Sequence, residues 1–271
     1  MHFIDHLLPL LPHPESGGVI ALVGAGGKTT AMYALGQDLA GRAPGEALLT
    51  TTTQIFDPRL EPGRPFDQVL LAPELADPVP ADGEPPAAWL EARAQGERVV
   101  LAAQATPDGK LGGIHPDRVP ELARVWPFVI IEADGSRHRP VQAPDAHEPV
   151  LPARLDMVVG MVGLGCLGQP MDEAIVYRPE GFTRATGCLP GDPIRLEHLL
   201  ALARHPQGLF QGVPAGVRRV LLLNQADRWS GAPGALAAAV AAAPPAADRV
   251  LVCALRDPRP SARVLAWSEP Q

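Results

Sequence analysis

The chain reads as an α/β protein with a mostly parallel sheet and helices on both faces. Two observations carry that expectation. Short apolar runs alternate with helix-like segments along the 271 residues, the pattern of repeated βαβ units. Several of the runs are apolar at every position, as strands covered on both faces must be. The runs are VIALVG (19–24), ALLTTTT (47–53), QVLLA (68–72), RVVLAA (98–103), FVIIEAD (128–134), DMVVGMVG (156–163), RRVLLLN (218–224) and RVLVCAL (249–255). Helices are expected at 28–40, 86–95, 117–124, 195–204, 231–242 and 260–267. The first is the clearest, because it follows directly on a glycine-rich turn. Segments 73–86 and 205–217 read as long surface loops. One domain spanning 1–271, with room for a helical excursion at 164–215, is the economical organisation.

Composition narrows the function classes. Hydrophobic residues make up 46% of the chain, enough for a full-sized core. The formal charge is 23 − 30 = −7, with the basic residues scattered. Such a chain has no stripe to hold a phosphate polymer, so nucleic acid is excluded as the expected ligand. The three cysteines Cys166, Cys188 and Cys253 lie far apart with no CxxC pair, as expected of free thiols in a reducing compartment. The first residues lack the positive region of a signal peptide, and no stretch reaches the roughly 18 apolar residues of a membrane span. A cytoplasmic protein with no membrane partner is expected. The 32 prolines and 27 glycines, with Ala-rich stretches such as 235–247, read as compositional bias.

The strongest motif is Gly24-Ala25-Gly26-Gly27-Lys28-Thr29-Thr30, set between the first strand and the first helix. That is the context a phosphate loop requires. Glycines let backbone N–H groups approach phosphate oxygens, and the helix N-terminus adds positive potential. Lys28 supplies a point charge for the β and γ oxygens, and Thr29 a hydroxyl for Mg²⁺. Leu22 stands where GxxxxGK[ST] has its first glycine. The shortened Gly-x-x-Gly-Lys-Thr spacing resembles the loop of the Mur-type ligases. The fold expected is therefore P-loop NTPase-like, with Mg²⁺ and ATP or GTP as cofactors.

Three further segments fit around that loop. The apolar run 128–131 ends in Glu132, Asp134 and Gly135. Carboxylates at the end of a buried strand beside a phosphate loop are where a metal or a water is held. If the turn begins at Gly135, one acid serves the metal and the other holds the loop; Asp134 is taken as the metal-side acid and Glu132 as its partner. The loop that follows is dense in polar residues, and Arg137 and Arg139 could clamp a phosphate or an anionic substrate. The histidines His115, His138 and His147 show no metal-triad spacing. Thr50 to Thr53 suit a strand end on propensity alone, and Thr51 or Thr52 could alternatively face the nucleotide or its Mg²⁺. The run 218–227 ends in Asn224-Gln225-Ala226-Asp227, which resembles the NKxD element that reads guanine. Asp227 would then contact the base and Asn224 brace the loop, with Gln225 in place of the lysine. Plain turn chemistry gives the same four residues.

Taken in order, GAGGKTT, TTT, EADGSRHRP, HEPVLP, HPQGLFQGVP and LLLNQAD resemble the YqeC family, proposed accessory factors of selenium-dependent molybdenum hydroxylases. The resemblance runs from about residue 15 to residue 255 and is most specific over 132–152. Arg139 and Gln225 stand where the family usually has lysine. The resemblance implies a nucleotide-dependent maturation role, with a molybdenum hydroxylase or its maturation factors as partner and a selenium cofactor as a variant of that role. Two other readings stay open on the residues: an ATP-dependent ligase or kinase acting on a small molecule, and a nucleotide-responsive binding module without turnover.

Overall fold

The computed structural model describes residues 2–60, 66–79 and 83–268. Among these, nine strands form one sheet: β1 (Gly18–Gly24), β2 (Ala47–Thr51), β3 (Gln68–Leu71), β4 (Val99–Ala102), β5 (Phe128–Glu132), β6 (Met157–Gly163), β7 (Arg218–Asn224), β8 (Arg249–Cys253) and β9 (Val264–Ser268). Their order is β9-β8-β7-β6-β1-β5-β2-β4-β3. Every neighbouring pair is parallel except β8 with β9. The mostly parallel α/β sheet expected from the apolar runs is what forms, and it is consistent with a P-loop NTPase-like fold.

Each apolar run divides between two cores. In β1, Val19, Ala21 and Val23 face one side, while Ile20 and Leu22 face the other. Helix α1 (Lys28–Ala40) covers the second side with Met32, Leu35 and Leu39, joined by Phe3, Ile4 and Leu7 from the N-terminal segment. The first side is covered by α2 (Ala87–Ala94), α3 (Val119–Val125), α4 (Pro179–Thr186), α5 (Leu196–Arg204) and α6 (Pro233–Ala241). Both faces therefore carry helices, as parallel sheets demand. Helices α4 and α5 are those of segment 164–215, and they bury Phe182, Leu199 and Leu202 in the same core as the sheet. Among the described residues no helix is long and apolar enough to cross a membrane.

One element differs from expectation. Residues 260–267 form no α-helix: after a short 3₁₀ turn at Pro260–Ala262 they become β9. The segment is rich in good helix formers, which misleads a propensity argument. Its exposure alternates, with Leu265 and Trp267 outward, the period-two pattern of a strand. The uncapped edge of β8 supplies the backbone partners, and that pairing overrides propensity.

The sheet order positions the site. β1 lies between β5 and β6, and the chain leaves β1 for β2 only to return and insert β5 beside it. The carboxyl ends of β1, β5 and β2 are thus adjacent, with Leu22 and Thr51 both registered against Glu132. In open parallel sheets the crevice at such a switch point is where ligands bind.

Candidate phosphate-binding site

Three residues, Ala25 to Gly27, link β1 to α1. Gly26 and Gly27 have φ of 85° and 117°, in the region open to glycine and costly to other residues. Neighbours also forbid a side chain there. A Cβ on Gly26 would run into the Gly163 backbone at the end of β6, and one on Gly27 would sit 2.8 Å from Asn224 Nδ2. The Ala25 N–H donates to the Met161 carbonyl at 2.9 Å, tying the loop to β6. Thr30 is half-buried in the first turn of α1.

Lys28 opens α1 and is buried. Its Nζ donates to the Gly24 carbonyl at 2.5 Å and lies 3.0 Å from Asp134 Oδ1 and 4.0 Å from Glu132 Oε1. The Thr29 hydroxyl donates to Glu132 Oε2 at 2.8 Å. The lysine, the hydroxyl and both acids singled out in the sequence therefore meet at one point.

The two acids have different surroundings because β5 stops at Glu132. Asp134 lies past the strand, where its Oδ2 accepts the Gly24 N–H and the Gln142 amide, each at 2.7 Å. Expected from the sequence as the metal-side acid, Asp134 is here the acid bonded to the loop backbone, and it is 1% exposed. Burial pushes its carboxyl above the ordinary value, with the Lys28 ammonium the largest opposing influence. The ion pair at 3.0 Å still favours a charged carboxylate while Lys28 is beside it.

Thr51 is buried, and its hydroxyl donates to the Glu132 carbonyl at 2.8 Å and accepts from the Thr53 N–H at 3.0 Å. It is engaged in joining β2 to β5. The Thr52 hydroxyl donates to the Val150 carbonyl. Asn224, at the end of β7, donates to the Gly26 carbonyl at 2.8 Å and accepts the Leu255 N–H at 3.1 Å, so it braces the loop from the far side. Asp227 is exposed on the following 3₁₀ turn. Gln225 has φ of 63°, and its amide oxygen lies against Gly163. Arg137 is exposed at φ 46°, its guanidinium 5.2 Å from the Tyr177 ring centroid.

Three residues that the sequence reading missed complete the surroundings. Gln142 bonds Asp134 from a two-residue strand, Val141–Gln142, paired with Val176–Tyr177. Arg178 donates to Glu148 Oε2 at 2.6 Å and lies over the Tyr177 ring at 4.3 Å. Gln211 donates to the Asp145 and Glu148 carbonyls, both at 2.7 Å. Together Arg178 and Gln211 pin the loop that follows the acids. No periodicity or spacing marks such residues, because each reaches its partner across a loop of irregular path. A cleft of about 430 Å³ also exists, but it lies at the C-terminal end of α1 between Asp38, Arg42 and Arg263 and contains no phosphate-loop residue.

Residues 20–180 match the model of a family described as YqeC protein. That span is more than half of the chain and holds the loop, both acids, Gln142 and Arg178. The chain belongs to the YqeC family. A relative from Escherichia coli (strain K12), described as "Uncharacterized protein YqeC", is 34% identical over 214 residues, covering 76% of this chain and 75% of the relative. No solved structure matches the chain. Asn224 and Asp227 fall beyond the residues matched to the YqeC model, so the brace at the end of β7 stands on its geometry alone.

Proposed function

We propose that the protein binds a Mg²⁺–nucleoside triphosphate at Gly24–Thr30 and hydrolyses it, assisting the maturation of a molybdenum hydroxylase, with a selenium-dependent enzyme as a variant of that role. The observation that carries the nucleotide part is the meeting of Lys28, Thr29, Glu132 and Asp134 at the start of α1. Lys28 would neutralise charge on the β and γ oxygens, and the N-terminus of α1 would favour the anion. The donors present suit Mg²⁺: a hydroxyl and a carboxylate 2.8 Å apart are hard oxygen ligands. Among the described residues no group of three or more His, Cys, Asp or Glu could hold a metal. A Mg²⁺ that arrives with phosphates needs only one or two protein ligands. Bound there, the ion would supply charge neutralisation at the phosphates. Asn224 and Asp227 support GTP as the preferred nucleotide, and Arg137 is a further candidate for contact with an anionic group.

The maturation role rests on the family resemblance. It is supported by the site's content: a phosphate loop and acids with no activated nucleophile beside them, Cys166 and Cys253 being buried thiols. Loop 136–149 follows directly on Asp134, where a segment could relay the γ-phosphate to a partner protein. Slow turnover by the isolated protein is expected. The shortened loop favours a second reading, a ligase or kinase acting on a small molecule. Deleting the gene and assaying xanthine-dehydrogenase-type activity beside an unrelated molybdoenzyme tests the choice. Loss of the first activity with the second retained supports the maturation role. Wild-type levels of both refute it, and phosphate release that requires an added small molecule then favours the second reading.

A further inference from the structure

The acids Glu132 and Asp134 both reach the loop, yet their oxygens are engaged differently. Glu132 Oε2 takes the Thr29 hydroxyl, and its Oε1 stands 4.0 Å from Lys28. Asp134 has Oδ2 filled by two N–H donors and Oδ1 turned to Lys28 at 3.0 Å. The orientation of the Gln142 amide is fixed by chemistry, since a carboxylate only accepts and the NH₂ must face it. Gln142 is 1% exposed, and among the described residues its buried carbonyl Oε1 has no hydrogen-bond partner. Burying an amide with half its capacity unmet costs stability that an apolar side chain of the same size would not. Packing therefore does not explain a glutamine here, whereas the aim of Asp134 does.

We infer that Gln142 is a positioning residue which, with the Gly24 N–H, turns the Asp134 carboxylate onto Lys28. Asp134 is then the counter-ion that sets the lysine's place, and Glu132 with Thr29 is the side that receives the metal. This division of labour rests on the Mg²⁺–nucleotide reading above. It follows from the end of β5: Glu132, still in the strand, projects beside Thr29, while Asp134, beyond it, reaches back to the end of β1.

The test uses the full chain and a fluorescent nucleoside triphosphate in two titrations, one of nucleotide with metal chelated and one of Mg²⁺ at fixed nucleotide. Gln142→Met is expected to weaken metal-free binding about three- to tenfold and to leave the Mg²⁺ half-saturation within about twofold. In an Asp134→Asn background, Gln142→Met should add no further loss, since residues acting through one another are not additive. Glu132→Gln should do the reverse, raising the Mg²⁺ half-saturation about tenfold or more with metal-free binding almost unchanged. If Gln142→Met does not fold, the contrast between Asp134→Asn and Glu132→Gln decides. The inference is overturned if Asp134→Asn moves the Mg²⁺ half-saturation as far as Glu132→Gln, or if Gln142→Met moves neither quantity. Wild-type protein that binds no nucleotide, with or without Mg²⁺, would instead overturn the nucleotide reading on which it stands.

Discussion

Gly26 shows at the scale of one residue why the loop needs its composition. Its φ of 85° puts it where a side chain costs about 1–3 kcal/mol, and a Cβ would also collide with Gly163. Gly26→Ala should therefore unfold at lower urea concentration than wild type, with a loss at or above that range. It should also displace Asn224, which bonds the Gly26 carbonyl. Equilibrium urea unfolding measures the first effect; an unchanged midpoint would mean that the loop adopts another path. The polar residues that meet here were legible in the sequence, because Lys28, Thr29, Glu132 and Asp134 sit at a strand-to-helix turn and a strand end. Gln142 was not, since an amide that bonds a carboxylate eight residues upstream leaves no periodic trace.

At the scale of elements, α3 is held by a buried ion pair at its start. Arg118 is 2% exposed and grips Glu121 through two bonds of 2.7 and 3.0 Å, while also donating to the Glu74 carbonyl. Removing one partner leaves a buried charge uncompensated, a cost of about 3–5 kcal/mol. Glu121→Gln should lose stability of that order in urea unfolding, and a loss under about 1 kcal/mol would show that the pair is solvated. The eight apolar runs all became strands because a strand buried on both faces has few other uses. The ninth strand carries a helical signal in its sequence, because its partner, the edge of β8, is a tertiary fact. Among the described residues five helices cover one face and one the other, a division equally hidden, since both faces of the sheet look apolar in sequence.

The whole molecule should lose stability in acid, and the shifts give the sign. The Arg59 side chain, by hydrogen bonding, holds the Asp57 carboxyl below its ordinary value, and Arg98 does the same for Asp67. A depressed folded value gives stability above the unfolded value that is lost as pH falls through the folded one. Asp134 is shifted the other way by burial, so its cost applies above the ordinary carboxyl range and is relieved in acid. The unfolding midpoint should therefore fall below about pH 4. Asp57→Asn should flatten that fall and Asp134→Asn should steepen it; the opposite pair of slopes would contradict the assigned environments. The proposed function turns on Lys28 and its loop holding the phosphates of a nucleotide. Calorimetric titration of Mg²⁺–ATP and Mg²⁺–GTP into wild type and Lys28→Ala tests it most directly. A charge-assisted contact is worth about 1.5–3 kcal/mol, so wild type should bind, GTP the tighter, and Lys28→Ala should bind about tenfold weaker or not at all. Equal affinity of the two proteins, or no heat from wild type with either nucleotide, would mean that this loop does not hold a nucleotide's phosphates.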